Sequence, residues 1–413
     1  MKQKIDGKKH ILVVSQYFYP EQFRVNDICK EWIDRGYKVT VVTGIPNYPK
    51  GKFFKGYGWL KKRKENWSGI DIIRLPIISR GNGKLRLIIN YFSFVFSGFF
   101  WRLFSKIKPD CVFIYEVSPI LQASIGTKFA RKREIPCSLY VLDLWPETVQ
   151  IMLNKESGFM INYIEKTVRN IYKGCDNIFI PSERYRASIA KRCDNPNKII
   201  YWPQYAEDFY CKKATPKNCL DYKVRKDGKL NLIFAGNIGY AQGLWVILDC
   251  AKRFKDNEIC DINFILLGDG RYKQTLIEEI KNSELEEYFT LHDQVPTEDV
   301  ADYIAEADAT LITLSKSKIF SLTIPAKLQS CLACGKPVIV CADGEIQNII
   351  KESNCGFFVD AEDAEGLYNS ILKIRELSAK DLEKMSENAL TYCKQHFDKK
   401  TLMNEMDKYL GGN

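Results

Sequence analysis

The sequence predicts an α/β protein composed of two doubly wound, Rossmann-like domains. The chain has 413 residues, too many for one ordinary domain and enough for two domains that each bury a core. Short apolar runs rich in β-branched residues alternate with amphipathic stretches, a pattern typical of parallel sheets covered by helices on both faces. The polar stretch Glu207–Lys229 interrupts this pattern near the middle of the chain. We therefore expect domains at residues 1–205 and 206–395.

The apolar runs are the expected strands, and the longer amphipathic stretches are the expected helices. The strands are His10–Ser15, Lys38–Thr43, Ile70–Leu75, Cys111–Tyr115, Ser138–Leu142, Asn177–Ile180, Leu230–Ala235, Ile262–Leu267, Tyr288–Leu291, Ala309–Leu314 and Pro337–Cys341. The helices include Asn26–Arg35, Pro119–Lys132, Leu244–Phe254 and Tyr272–Lys281. A doubly wound sheet binds ligands in the crevice at the carboxyl ends of its strands, so the candidate residues should lie there.

Basic residues are concentrated in the first half of the chain. From Met1 to Tyr205 there are 35 Lys and Arg against 17 Asp and Glu, which gives +18, whereas the remainder of the chain carries −8. This asymmetry suits an extended anionic partner, although a solvated lysine-rich surface would give the same count. No nucleic-acid-binding motif accompanies the basic runs. We expect an anionic membrane surface as a partner and no nucleic acid.

The cysteines indicate a cytoplasmic protein. The 14 cysteines have no regular spacing and most lie in apolar runs, as reduced buried thiols do. The segment Met1–His10 is polar and basic and has no secretory signal pattern. Cys331 and Cys334 form a CxxC pair without a second pair or a nearby histidine, so neither a zinc site nor a redox site is expected.

The segment Leu85–Phe104 combines apolar and aromatic residues with basic flanks. Between Arg86 and Arg102 only 15 residues are free of charge, fewer than the roughly 20 that span a bilayer. A helix lying in the membrane interface fits this pattern. A core helix packed on the first sheet is the alternative, and one helix could serve both roles. The basic run Lys61–Lys64, beside Trp59, adds a second basic and aromatic surface.

Two glycine-rich turns, each between a strand and a helix, supply candidate ligand residues in the second half. These residues are Gly236, Asn237, Gly239, Gln242, Gly268, Asp269 and Arg271. Glycines allow close backbone approach to a ligand, and an arginine after such a turn can reach an anion. The spacing matches neither the GxGxxG fingerprint nor a P-loop. Each turn alone is as consistent with loop closure as with ligand binding.

The segment Ser321–Ile339 is a stronger candidate for anion binding. Pro325 suits the first turn of a helix, where its missing N–H costs nothing. Backbone amides around Thr323 and Ala326 would then be free to bind a diphosphate. Lys327 lies in the same turn and opposes the helix dipole, a conflict that a bound anion would remove. The candidate residues are Thr323, Ile324, Pro325, Ala326 and Lys327.

Two acids follow the strand Ser138–Leu142 in the first half. Asp143 and Glu147 frame the run Asp-Leu-Trp-Pro-Glu, and both should lie at the carboxyl end of that strand, facing the crevice. Two acids and a tryptophan at a crevice rim suit sugar binding. Alternatively, Asp143 caps a turn that Pro146 fixes.

The exit loop of the first strand adds further polar candidates. Glu21, Arg24 and Asn26 either face the crevice and a ligand there or cap the helix that follows.

Several motifs, in this order, resemble the family 4 retaining glycosyltransferases. The resemblance rests on Ser15–Glu21, Thr43–Pro49, Asp143–Glu147, Trp202–Glu207, Gly236–Leu244, Gly268–Gly270 and Pro325–Pro337. It extends from about Ile11 to Ile339. The bacterial branch that assembles surface polysaccharides is the most similar, including L-fucosamine (N-acetyl-L-fucosamine) transferases of O-antigen synthesis.

The resemblance implies the GT-B fold, in which two Rossmann-like domains face each other across a cleft. It implies a UDP-sugar donor held mainly by the second domain and retention at the anomeric carbon. It also implies that a final helix within residues 396–413 crosses back to the first domain. The acceptor would be a lipid-linked (polyprenyl diphosphate) saccharide held mainly by the first domain. The acceptor-side candidates are Tyr17, Glu21, Arg24, Asn26 and Asn47.

Four positions depart from the pattern of this family. Asn237 and Gln242 stand where many relatives carry Arg and Lys near the diphosphate, and Leu322 and Ser330 stand where relatives carry paired glutamates. The second glutamate usually holds the donor ribose, so Ser330 is the candidate for that position. Lys327 and Arg271 could restore the positive charge that the first turn lacks.

Retaining transfer without an obvious enzymic nucleophile can proceed by same-face attack, with a phosphate oxygen of the departing UDP accepting the proton. The protein then positions both substrates and stabilises the charge developing on the diphosphate. Asp143, Glu147 and Lys327 are the candidate catalytic residues. No Asp-x-Asp occurs in the chain, so we expect no metal and no cofactor besides the UDP-sugar donor.

Two other functions stay open from the sequence. A UDP-sugar epimerase of GT-B fold would act without an acceptor and would not need the basic, aromatic first half. A non-catalytic membrane-associated scaffold would keep the fold without turnover, and Asn237 and Ser330 favour it. The transferase interpretation places the protein in the cytoplasm, peripheral on the inner face of the cytoplasmic membrane, in O-antigen or capsule synthesis.

Overall fold

The computed structural model describes residues 9–81, 83–211 and 228–410. Within these ranges the chain divides into two compact units. The first comprises the residues up to Trp202 together with those from Met403 onward, and the second runs from Pro203 to Leu402. Residues 212–227, most of the expected linker, lie outside the described part of the chain, as do residues 1–8 and 411–413.

The first unit is a twisted sheet with helices on both faces. Its strands are β1 (His10–Val14), β2 (Lys38–Gly44), β3 (Lys64–Trp67), β4 (Ile70–Leu75), β5 (Cys111–Glu116), β6 (Cys137–Val141), β7 (Asn177–Ile180) and β8 (Ile199–Tyr201). Its helices are α1 (Arg24–Asp34), α2 (Lys84–Phe104), α3 (Ala123–Arg133), α4 (Glu147–Leu153), α5 (Phe159–Lys173) and α6 (Arg186–Ala190). The sheet order is β3-β4-β2-β1-β5-β6-β7-β8. All pairs are parallel except β3 with β4.

The second unit repeats the plan with a purely parallel sheet. Its strands are β9 (Leu230–Ala235), β10 (Ile262–Leu267), β11 (Phe289–His292), β12 (Ala309–Thr313), β13 (Val338–Cys341) and β14 (Gly356–Val359). Its helices are α7 (Asp208–Cys211), α8 (Trp245–Asp256), α9 (Lys273–Asn282), α10 (Val300–Glu306), α11 (Lys327–Ala333), α12 (Glu345–Ser353), α13 (Ala364–Glu376) and α14 (Ala379–His396). The sheet order is β11-β10-β9-β12-β13-β14.

Apolar spacing explains why these segments bury one side. In α1 the residues Val25, Ile28, Cys29 and Trp32 recur at the spacing of one helical face, and all four are buried. Trp32 packs edge-on against Phe113 of β5, with ring centroids 5.1 Å apart. The central strands β5 and β10 are buried along their whole length, as expected for strands covered on both faces. The predicted α/β class with two Rossmann-like domains is confirmed.

Each sheet has a switch point, where the strand order reverses. In the first unit it lies between β1 and β5, and in the second between β9 and β12. Loops at the carboxyl ends diverge there and leave a crevice for ligands. Two candidate ligand-binding edges follow from the topology, one in each unit.

Helix α2 has two different sides. Asn90 and Phe94 are fully buried, and Gly98 packs so closely on Ile125 of α3 that any added Cβ would collide with that side chain. Other apolar residues of the helix are exposed, among them Phe92 and Phe96. By length and composition α2 is the one helix of the described residues that could cross a membrane, a test that core helices of soluble proteins also pass.

The last helix, α15 (Lys399–Leu410), belongs to both units. Its residues from Met403 onward pack with the first unit. Arg35 at the end of α1 donates to Asp407 over 2.9 Å, and Tyr409 meets Phe179 of β7 edge-on with centroids 5.5 Å apart. The polypeptide therefore returns to the first unit only after the last residue of the second unit, Leu402.

Candidate functional site

The switch point of the second unit is occupied by Lys327. Its Nζ donates to Oε1 of Gln242 over 2.5 Å and lies 3.8 Å from the ring centroid of Phe234. Gln242 follows β9 and Lys327 follows β12, so this contact joins the loops on either side of the strand reversal. A Cβ on Gly236 would lie 3.6 Å from Nζ, which places the first glycine turn directly beside the ammonium group.

The side chain of Lys327 is partly buried, and its ammonium group has no acidic partner among the described residues. Burial of that group lowers its pKa to about 7, and the neighbouring Cys331 opposes the shift only in part. A buried cation without a counter-ion is costly. An anion bound beside it would restore the charged form, so the arrangement suits a phosphate group.

The two glycine turns pack on each other. Ile238 N–H donates to the carbonyl of Asp269 over 2.8 Å, and Tyr272 N–H donates to the carbonyl of Ile238 over 3.0 Å. A Cβ on Gly268 would collide with the carbonyl oxygen of Gly236, and one on Gly270 with that of Ile238. Gly268 and Gly270 are therefore required by contact between two backbones, and this contact alone explains them without a ligand.

The segment before α11 differs in part from the expectation. Thr323 N–H donates to the carbonyl of Phe320 over 3.0 Å, so this amide is already used. Helix α11 begins at Lys327, with Ala326 as its N-cap, and Pro325 therefore precedes the helix instead of standing in its first turn. Ile324 is buried in the core. The expectation of anion binding therefore depends on the side chain of Lys327 more than on free amides.

The remaining candidate residues of the second unit differ in their solvent exposure. Asn237, Asp269 and Arg271 are exposed, and Gly239 is partly exposed. The carboxylate of Asp269 accepts the N–H of Gly270 over 2.7 Å and so stabilises its own turn. Ser330 is buried, one helical turn after Lys327 on the same face of α11.

In the first unit, the buried carboxylate of Glu21 joins two loops by accepting hydrogen bonds from their backbone amides. One carboxylate oxygen accepts the N–H groups of Asn47 and Tyr48, each over 2.7 Å, and the other accepts that of Phe18 over 3.3 Å. Burial raises the pKa of Glu21 to about 7, against the opposing effect of these amides and of Arg74. Glu21 was expected to face an acceptor or cap α1, but its carboxylate does neither.

The side-chain amides of Asn26 and Asn47 also hydrogen-bond to backbone groups of these loops. Asn47 is buried and accepts the N–H of Arg80 over 2.9 Å. Asn26 accepts the N–H of Tyr19 over 3.1 Å and donates to the carbonyl of Glu21 over 2.7 Å. Asn26 therefore braces the loop and does not cap α1, whose N-cap is Phe23. Arg24 begins α1, and its charge opposes the rise in the pKa of Tyr140.

Aromatic residues and one arginine surround Tyr17. The ring of Tyr17 stacks on Phe23 at 5.2 Å, and its hydroxyl lies 3.5 Å from Arg80, whose guanidinium stands over the ring of Tyr48. Tyr91 of α2 hydrogen-bonds to Tyr17. Burial raises the pKa of Tyr91, and the charge of Asp143 raises it further. Helix α2 thus reaches the neighbourhood of Asp143 through Tyr91.

Asp143 retains an available carboxylate oxygen. Its Oδ2 accepts the N–H of Ser118 over 2.6 Å, and Oδ1 makes no hydrogen bond with any residue that the structure describes. Its own N–H donates to Glu116 over 3.4 Å. Glu116 closes β5, is fully buried and has one carboxylate oxygen without a partner. Burial, followed by the charge of Asp143, raises the pKa of Glu116 well above its ordinary value.

Glu116 was not identified from the sequence. The available signal was an acid at the end of an entirely apolar strand, before Val117-Ser118-Pro119. Its buried carboxyl accepts the backbone N–H of Asp143 over 3.4 Å, so Glu116 lies directly against the turn that holds Asp143.

Glu147 and Trp145 make contacts within the protein. Glu147 accepts from Ser188 over 2.5 Å and pairs with Arg192 at 2.8 Å, and Arg192 also pairs with Glu165 of α5 at 2.6 Å. Trp145 is buried and donates to Ser118 over 3.3 Å, so it is not an exposed platform for a sugar. Of the two acids in this motif, Glu147 is held through Oε1 by Arg192 and Ser188, with its Oε2 buried and unpartnered, whereas Asp143 has no ion pair among the described residues.

Within the described residues no group of three or more His, Cys, Asp or Glu side chains is arranged to hold a metal ion.

Comparison with known proteins agrees with this architecture. The family model described as Glycosyltransferase Family 4 matches residues 23–204, and the one described as Glycosyl transferases group 1 matches residues 221–391. A colanic acid biosynthesis glycosyl transferase of Escherichia coli strain K12, WcaI, is 23% identical over 356 residues, 81% of this chain and 83% of the relative.

Two solved structures share the fold over nearly the whole chain. Anabaena Alr3699/HepE, in complex with UDP and glucose, superposes with a TM-score of 0.71 at 15% identity, covering 98% of this chain and 100% of the other. WaaG, a glycosyltransferase involved in lipopolysaccharide biosynthesis, superposes with a TM-score of 0.68 at 14% identity, with the same coverage. Since the two family models together span most of the chain, the protein belongs to the family 4 glycosyltransferases of GT-B fold.

Proposed function

We propose that the protein transfers a sugar from a UDP-sugar to a lipid-diphosphate-linked saccharide during synthesis of a bacterial surface polysaccharide, an O-antigen or a capsule. The transfer retains the anomeric configuration and needs no metal. The observation that carries the proposal is the buried ammonium group of Lys327 beside the glycine turn at the switch point. A diphosphate is the part of a UDP-sugar that this group would hold.

The relatives support this choice of substrates. The HepE structure contains UDP and glucose, and WcaI and WaaG are named for colanic acid and lipopolysaccharide biosynthesis. The sequence resemblance to L-fucosamine transferases favours an N-acetylated amino or deoxyamino sugar as the transferred group.

The proposed chemistry assigns separate tasks to the two units. Lys327 neutralises the charge that develops on the diphosphate as the sugar leaves, and such preorganised stabilisation is often the largest catalytic contribution. A phosphate oxygen of the leaving UDP accepts the proton of the acceptor hydroxyl, which attacks from the same face. Asp143 positions a substrate hydroxyl through Oδ1, and Glu116, which accepts the backbone N–H of Asp143, helps to hold that residue in place.

The surface of the first unit supports a membrane-bound acceptor. Helix α2 exposes Phe96, Phe100 and Phe104, and basic residues flank it at both ends. A second exposed apolar group lies at the end of α4 and the start of α5, including Met152 and Phe159. Such patches mark interaction or membrane surfaces. The enzyme would then work as a peripheral protein on the inner face of the cytoplasmic membrane.

A thermal-shift screen against UDP, GDP, ADP and several UDP-sugars, with and without EDTA, tests the donor assignment. A ligand at a hundred times its dissociation constant adds about 2.7 kcal/mol to the free energy of unfolding. We expect a UDP-specific shift that EDTA does not change. A shift that requires manganese would contradict metal independence, and the absence of a shift with any nucleotide would favour the scaffold function.

A transfer assay then separates the enzymatic alternatives. We expect product only when both the UDP-sugar and a lipid-diphosphate acceptor are present. Conversion of the UDP-sugar to an epimer without any acceptor would identify an epimerase instead.

A further inference from the structure

A groove of about 880 Å³ lies beside the C-terminal half of α2 in the first unit. One wall consists of Phe96, Phe100 and Phe104 of α2, and the other contains Ile73 and Leu75 of β4. This volume is within the range of about 300–1,000 Å³ of small-molecule sites. None of the candidate donor or acceptor residues lines it, so it is separate from the site described above.

The wall formed by α2 is firmly held although its aromatic side chains are exposed. Trp101 also lines the groove and stacks on Phe129 of α3 with centroids 5.2 Å apart. Phe96 and Phe104 are nevertheless 66% and 77% exposed. A rigid surface that exposes large aromatic side chains is typical of a contact site for an apolar partner.

The polar residues of the groove are cationic. Arg63 and Lys64 lie on the β3 side and Lys106 follows α2, and no acidic residue is among the lining side chains. Arg63 is fixed by donating to the carbonyls of Arg74 and Trp59, while its Nη2 has no partner among the described residues. The groove therefore combines an apolar wall with a cationic rim, which complements an anionic amphiphile.

We propose that this groove binds one anionic phospholipid of the bilayer, with an acyl chain along Phe96 and Phe100 and its phosphate near Arg63, Lys64 and Lys106. The inference rests on the proposed membrane attachment and deepens it, because it replaces general attraction to a surface by a defined lipid site. A free phosphate would leave the apolar wall uncovered. A second copy of the chain would bring two cationic rims together.

Matched variants of the full chain test this site. Binding is measured on phosphatidylcholine vesicles with and without phosphatidylglycerol, and native mass spectrometry reports whether a phospholipid stays bound after release from nanodiscs. We expect Phe96→Ser to weaken binding to the anionic vesicles by about tenfold, whereas Phe92→Ser, on the same helix outside the groove, changes it less than twofold. Lys64→Gln should weaken binding more than Lys61→Gln, and one phosphatidylglycerol should be retained in preference to phosphatidylcholine.

Other outcomes would overturn the proposal. Equal losses in Phe92→Ser and Phe96→Ser would indicate nonspecific insertion of α2. A dimer in light scattering that Phe96→Ser dissociates would assign the groove to a second copy. The UDP thermal shift should be unchanged in all four variants. Failure of the lipid site with an intact UDP shift would leave the proposed donor function standing, and failure of the UDP shift in the unmodified chain would not affect the lipid result.

Discussion

The two units place polar residues at equivalent edges of their sheets but use them differently. At the edge of the first unit, the side chains of Glu21, Asn26 and Asn47 are already hydrogen-bonded to backbone groups of the surrounding loops. At the edge of the second unit, Lys327 has a neutral amide and an aromatic ring as its only partners among the described residues. The first edge is already preorganised, whereas the second has a charge that a ligand must complete. Position at a strand end therefore identifies a candidate residue, and the hydrogen bonds it already makes decide its role.

Replacing Lys327 should have the largest effect on activity. Lys327→Met removes the cation assigned to the diphosphate, and we expect kcat/KM for the UDP-sugar to fall by about 10²–10³-fold. The melting temperature should stay the same or rise, because a buried cation is removed. Lys351 of α12, an exposed lysine of the same unit, provides the control. A loss in Lys351→Met as large as that in Lys327→Met would contradict the assignment.

Replacing Asp143 should have the next largest effect and separates the two acids of its motif. Asp143→Asn should lower kcat by about a hundredfold with little change in the thermal shift by UDP. Glu147→Gln breaks the pair with Arg192 and should cost about 1.5–3 kcal/mol of stability while leaving kcat nearly unchanged in the folded fraction. The comparison fails if Glu147→Gln lowers kcat as strongly as Asp143→Asn.

The pH dependence of donor binding should reveal the state of Lys327. Its pKa of about 7 in the free protein should rise when a diphosphate binds, so binding takes up a proton above pH 7. Affinity for the UDP-sugar should therefore fall about tenfold for each pH unit above 7. Isothermal titration in buffers of different ionisation enthalpy measures this proton uptake. In Lys327→Arg the side chain stays charged, and any remaining affinity should be independent of pH in this range.

Replacing Glu21 should have the smallest effect on turnover. It should instead change how the free energy of unfolding depends on pH. The folded pKa of about 7 lies above the ordinary value of 4.5, so Glu21 favours folding fully below pH 4.5 and loses this contribution as pH rises through 7. In Glu21→Gln the fall in unfolding free energy between pH 5 and 8 should shrink by about 2.5 kcal/mol. Urea titrations at both pH values measure the difference. An unchanged pH dependence would show that Glu21 is ionised throughout.

Much of the fold could be predicted because it depends on local patterns. Interior strands such as Cys111–Glu116 and Ile262–Leu267 are mostly apolar and buried along their whole length. The three unpredicted strands lie at sheet edges. Lys64–Trp67 is polar, Ile199–Tyr201 has three residues, and Gly356–Val359 begins with glycine. Edge strands bury less surface, so their sequences carry a weaker signal.

The site was harder to predict because side-chain direction depends on contacts distant in sequence. Nothing near Glu21 shows that the amides of Asn47 and Tyr48 will occupy its carboxylate. Likewise, the burial of Trp145 follows from Ser118, which lies in another loop. Asp143 could be identified because it follows a predicted strand, and Lys327 because it follows Pro325 at the start of a predicted helix. Among the described residues, Oδ1 of Asp143 has no hydrogen-bond partner and Lys327 has no acidic partner, and both facts became visible only in the structure.

The shared helix α15 has a consequence for the order in which the chain folds as it is made. Arg35 and Phe179 obtain their partners Asp407 and Tyr409 only after the entire second unit has been synthesised. At about 5–20 residues per second, the roughly 200 residues between the two crossings delay this step by about 10–40 s. The first unit is thus begun first on the ribosome and completed last, and a chain interrupted before Met403 would leave it without its final packing element.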